Sequence, residues 1–133
     1  MAGAPTVEVS WGELVDKLTI LEIKERRLSS PAAVANVRRE RAALDKVLQA
    51  SRPSDELAAL KKKLTAINET LWTIEDDIRA KEAAGTFDAQ FIALARAVYI
   101  NNDTRAELKR EINALLKSDF VEEKQYTSYA APG

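Results

Sequence analysis

Leu57, Leu60, Leu64, Ile67, Leu71, Ile74 and Ile78 follow one another at alternating steps of three and four. That spacing holds all of them on one stripe of a helix, and only another helix laid alongside can cover such a stripe. The expected fold is therefore all-α: an antiparallel helical bundle of about four helices, with a long central helical hairpin and a short extended tail. With 133 residues, the chain is expected to form a single domain over 1–133 that buries a core without staples.

The breaks between helices are written in capping residues. Ser10 with Glu13 three positions on is a capping box, and it opens a first helix over 10–28 with Leu14, Leu18, Leu21 and Leu28 as its main stripe. Trp11 beside that cap reads as a staple closing the end of the bundle. Ser30 as N-cap and Pro31 at the first helical position open a second helix over 31–50, which carries Val34, Val37, Leu44, Val47 and Leu48 on one face. After Ser51–Ser54 a third helix runs over 55–84, roughly 45 Å long, and Gly85 is its C-cap. A fourth is expected over 88–117, continuous through Asn101–Thr104 because the heptad phase is the same on both sides. Asn101 and Arg105 are polar positions in its seam, of the kind that fix register.

The segment 118–133 is the tail. Phe120, Val121, Tyr126 and Tyr129 give it surface to pack back on the bundle, with fraying from Ala130 to Gly133. Residues Phe91 to Ile100 are apolar almost all round, which predicts burial on every side. Either the shorter helices and tail wrap them or a second copy does, so a homodimer is expected.

Two absences narrow the chemistry. Without Cys there are no disulfides, thiolate nucleophiles or sulfur-ligated metals, and without His the commonest general base and metal ligand are gone. No cofactor and no metal site are expected. Glu22 with Glu25 and Glu13 with Asp16 are spaced like magnesium-chelating pairs, but both sit on one helix among Lys17, Lys24, Arg26 and Arg27 instead of on two facing helices. Arg38, Arg96 and Arg105 would suit the anion-holding parts of a small helical mutase, although nothing in their spacing demands it. The net charge is −1, and Lys61, Lys62 and Lys63 point in three directions round a helix, so no nucleic acid is expected as a partner. No apolar run is long enough to cross a bilayer, and Met1–Pro5 lacks the basic and apolar regions of a secretory signal. The expected location is cytoplasmic, without membrane insertion.

Folding the long hairpin about Gly85 brings residues level when their numbers sum to roughly 171 by equal rise along both helices. Glu75 then lies at the height of Arg96, and Trp72 at the height of Tyr99. Arg96 in apolar surroundings calls for a carboxylate, with Glu75, Asp76 and Asp77 in reach. The candidate binding residues are Trp72, Glu75, Asp76, Arg79, Arg96, Tyr99, Asn102 and Arg105. They read either as a polar pocket gripping a ligand or partner, or as an internal ion-pair network. The corresponding functions are a non-enzymatic interaction or accessory protein with an unidentified protein partner, or a small enzyme acting on a nucleotide or other anion.

Three stretches carry a resemblance: Gly12 to Lys24, Leu71 to Arg79 with Lys81-Glu82, and Phe91 to Arg105, joined by Val121-Glu122-Glu123-Lys124 with Tyr126 in the tail. In these the chain resembles a family of short, all-helical bacterial and phage-associated proteins known only as a domain of unknown function. Members tend to accompany genes for surface glycans. The resemblance implies a helper role in glycan or glycoconjugate assembly and brings no catalytic residues with it.

Overall fold

Every helix begins where a short polar side chain satisfies its free N–H groups. Ser10, Ser30, Ser54 and Asp88 each accept a hydrogen bond from the backbone N–H three residues ahead, at Glu13, Ala33, Leu57 and Phe91. In the computed structural model, which describes residues 3–129, these caps open α1 (Trp11–Arg27), α2 (Pro31–Gln49), α3 (Asp55–Ala84) and α4 (Ala89–Leu115). Gly85 ends α3 in the left-handed conformation, at φ 65°, where a side chain would be strained. The N-cap carboxylate of Asp88 is held below its ordinary range by the Phe91 N–H and by Lys81, whose Nζ lies 3.0 Å away across the turn.

The all-α bundle and its long hairpin are present. α3 and α4 pack antiparallel along their lengths, and α1 packs against each of the other three helices. Val15, Leu18, Leu48, Leu57, Leu64, Leu108 and Ile112 form the central cluster, with Trp11 and Leu44 packed on it. Burying a side chain such as Leu64 or Ile112 stabilises the fold by roughly 1.5–3 kcal/mol. On α2, Val47 is left half exposed, so its inward face is narrower than its apolar residues suggest. α4 continues without a break through Asn101, whose side chain donates to the Ala97 carbonyl.

α1 is shorter than the hairpin it lies on. It runs parallel to α3 and antiparallel to α4, so Leu18 meets the core level with Leu64, Asp16 meets Arg105, and Arg27 reaches only as far as Trp72. Beyond Trp72 and Asn102 the hairpin projects by roughly 18 Å, at 1.5 Å per residue. Among the described residues, the shorter helices and the tail therefore do not wrap Phe91 to Ile100 on every side within one chain. Ile92 is 57% and Ile100 43% exposed, because α1 ends short of them. The segment 118–129 is extended and returns along α4, and the fraying expected for Ala130 to Gly133 lies outside the described residues.

Candidate functional site

The polar residues of the bundle sort into a buried set at its root and an open set beside it. At the root, Asp16 is 1% exposed and both its carboxylate oxygens accept from Arg105. Asn68 Nδ2 donates to Asp16 Oδ1 and to Thr19 Oγ1, each at 2.9 Å. The Asp16 carboxylate holds the Arg105 guanidinium charged, raising its pKa against the opposing effect of burial. One turn further along, Lys109 Nζ sits 2.8 Å from both Glu13 Oε2 and Glu122 Oε2, with its side chain 8% exposed. Burial alone would lower the Lys109 pKa, but the two carboxylates outweigh it and the net shift is upward. Glu122 is pulled below its ordinary value by the same pair. The tail is thereby fastened to α1 and α4 by charge.

Gly12 makes the close approach of α1 and α4 feasible. Its N–H donates to Asn113 Oδ1 at 2.6 Å, and a Cβ placed there would lie 2.5 Å from the Lys109 carbonyl oxygen. A side chain at this position would push the helices apart.

Beside this network, where α1 ends on the hairpin, an open groove of about 460 Å³ lies between α1, α3 and α4. It gathers Trp72, Glu75, Asp76, Arg79, Asn102 and Arg105, with Ile20, Ile23 and Leu71 as its apolar floor. Glu75 and Arg79 are exposed and paired with each other at 3.4 Å. Trp72 is half buried, and the Arg27 guanidinium lies over its ring, 5.7 Å from the centroid. Six of the eight residues singled out from the sequence therefore share one groove. Two do not. Tyr99 faces a separate, larger trough of about 1060 Å³ between α4 and the tail, where its ring meets that of Tyr129 at 5.1 Å. Arg96 is exposed and makes no ion pair among the described residues, because it points away from α3 and from Glu75, Asp76 and Asp77. Equal height on the hairpin levels Trp72 with Tyr99 and Glu75 with Arg96, but height does not fix azimuth. Tyr99 and Arg96 stand on other sides of α4, and the α4 residues that join Trp72 in the groove are Asn102 and Arg105.

Residues outside the expected set matter as much. Asp16, Thr19 and Asn68 form the buried network, and Arg27 covers the tryptophan. The available signal lies in α1, whose apolar residues surround it so fully that Asp16 between Val15 and Leu18 has no solvated side to occupy. Glu13 and Asp16 are each engaged by a cation, and Glu22 and Glu25 pair with Lys61 and with Arg38 and Arg41. No group of three or more acidic side chains converges among the described residues as a cation site would require. No described helix is long and apolar enough to cross a membrane.

Comparison with known proteins adds one assignment. No curated protein and no solved structure matches the chain. A family described as a family of unknown function, DUF6165, matches residues 5–132, nearly the whole bundle and its tail. The chain belongs to that family.

Proposed function

We propose that this protein is a non-enzymatic interaction module, and that the groove at the end of α1 holds a segment of a partner protein. The observation that carries this reading is the make-up of the groove. Exposed charges of both signs (Glu75, Asp76, Arg79) line a shallow channel beside a partly exposed aromatic ring and a floor of partly exposed Ile20 and Leu71. That composition suits a polypeptide with apolar and charged side chains, since aromatic residues and arginine anchor such contacts. It suits a small anion less well, because Arg105 is already neutralised by Asp16 and Arg79 faces Glu75. The sequence resemblance supports a setting in surface-glycan or glycoconjugate assembly in a bacterial cytoplasm, with the partner among the proteins of that process.

The test is an affinity capture from native extract, comparing the unaltered chain, Trp72→Ala with Asp76→Lys, and a control altered on α2 at the half-exposed Val47→Ser. The expected result is a protein retained by the first and third baits and lost from the second. An identical set on all three baits would remove the groove from the interaction. A thermal upshift with a nucleotide or sugar that Trp72→Ala abolishes would replace the adaptor reading with a small-ligand one.

A further inference from the structure

Outside the groove, the projecting part of α4 presents a different kind of surface. Ile92, Ala93, Ala95, Arg96, Tyr99 and Ile100 are all exposed. At 100° per residue they occupy one continuous arc on the side of α4 away from α3. Its large residues are aliphatic or aromatic, and its alanines leave room for a second backbone to come near. The chain exposes 9347 Å², whereas a compact monomer of 14.7 kDa exposes about 6,900 Å². A stable interface needs about 800 Å² from each side.

Charge identifies what fits. The arc carries one cation, Arg96, and its lower end carries one anion, Asp103, seven residues on and therefore on the same face. Arg96 has no ion partner among the described residues. Asp103 uses one oxygen, Oδ2, to accept from Tyr129 at 2.6 Å, and its other oxygen has no partner among the described residues. A face with plus at one end, minus at the other and an apolar middle is complementary to itself when turned end for end. We infer that a second copy of this chain docks antiparallel along α4, with Ile100 beside the two-fold axis, the packed rings of Tyr99 and Tyr129 flanking it, and Arg96 of each copy against the unpartnered oxygen of Asp103 of the other.

This arrangement predicts an unusual mixing behaviour, read by sedimentation equilibrium. The unaltered chain is expected to weigh twice 14.7 kDa. Arg96→Asp places two acids against each other at both contacts, and Asp103→Arg does the same with two cations. Each variant alone should dissociate at least about tenfold more readily. Mixed in equal amounts they should restore the dimer, because every contact then joins opposite charges. Circular dichroism melting of each variant confirms that the fold is retained, as expected at exposed sites. An unaltered chain that stays at 14.7 kDa overturns the inference. So does a dimer indifferent to both substitutions, or a mixture no more associated than its parts. Because Trp72 and Asp76 lie outside the arc, the groove variant should dimerise normally, which keeps this outcome separate from that of the groove.

Discussion

The two halves of the α3–α4 hairpin share a sequence pattern and differ in what covers them. In the root half, α1 lies across the hairpin and its polar residues are buried, paired and tied to three elements at once: Asp16 on α1, Asn68 on α3 and Arg105 on α4. In the projecting half no helix lies across the outer side of α4, the described tail reaches it only at Tyr99, and Arg96, Ile92 and Ile100 are exposed. A polar residue of α4 is thus structural where it sits in the seam under a third helix, as Arg105 does, and free where it stands on the uncovered side, as Arg96 does among the described residues. The same hairpin is closed over by a third helix at one end and left uncovered by any helix at the other.

The strongest way to break this contrast is to remove the centre of the buried half. Asp16→Ala leaves Arg105 without its acceptor and Asn68 with Thr19 alone inside the bundle, and losing one partner of a buried pair costs about 3–5 kcal/mol. Urea unfolding should show the loss directly, and melting should fall by roughly 3–5 °C for each kcal/mol in a chain of this size. The double change Asp16→Leu with Arg105→Leu should recover most of that loss, because an apolar pair has no charge left to strand. If Asp16→Ala costs no more than an ordinary surface change, the root network does not hold the helices together.

Gly12→Ala comes next. The added methyl meets a backbone carbonyl oxygen of α4, which cannot rotate away as a flexible side chain would. The expected cost is about 1–3 kcal/mol from the forced separation of α1 and α4. Equilibrium unfolding measures it, and an unchanged midpoint would mean that the helices have slack at this crossing.

These two residues also show what the sequence can and cannot reveal. The four helices are legible because caps and heptads are local: Ser54, Leu57 and Gly85 announce α3 without reference to anything distant. The groove was partly legible, since Trp72, Glu75, Asp76, Arg79, Asn102 and Arg105 were singled out together and do line it, but equal rise fixes only height, and the Tyr99 it levels with Trp72 faces the other trough. Glu13 and Asp16 read from the sequence as an acidic pair of magnesium-chelating spacing on one helix, and nothing local announces the burial of Asp16, which depends on α1 lying between the hairpin and α2. Arg96 shows the opposite error. Its apolar neighbours suggest burial, but apolarity records only that a surface would gain from cover, and the single chain leaves it uncovered.

The tail supplies a test through pH. Glu122 has a folded pKa below its ordinary 4.5 because Lys109 donates to it. Its contribution is therefore present above that value and lost as pH falls from there through the folded value. Lys109 is shifted up from 10.5, so its contribution is present below that value and fades as pH rises through the folded one. Melting followed across pH should decline at both ends. Glu122→Gln should flatten the acid limb without abolishing folding, at a cost near 1 kcal/mol for a partly exposed ion pair. An acid limb of the same depth in the variant would assign it to other carboxylates.

The smallest effect sharpens the comparison most. Arg96→Ala, measured in solution dilute enough for a single chain, should change stability by less than about 0.5 kcal/mol, as expected of a surface residue with nothing to lose. The same loss of an arginine at 105 strands the Asp16 carboxylate and belongs with the large effects. Both arginines stand on α4, nine positions apart, and both carry the same charge. A difference of several kcal/mol between Arg105→Ala and Arg96→Ala would locate the boundary between the two halves of the hairpin at the end of α1. Equal costs would mean that Arg96 is covered even in the single chain, and the projecting half would then be core, leaving no free face for a second copy.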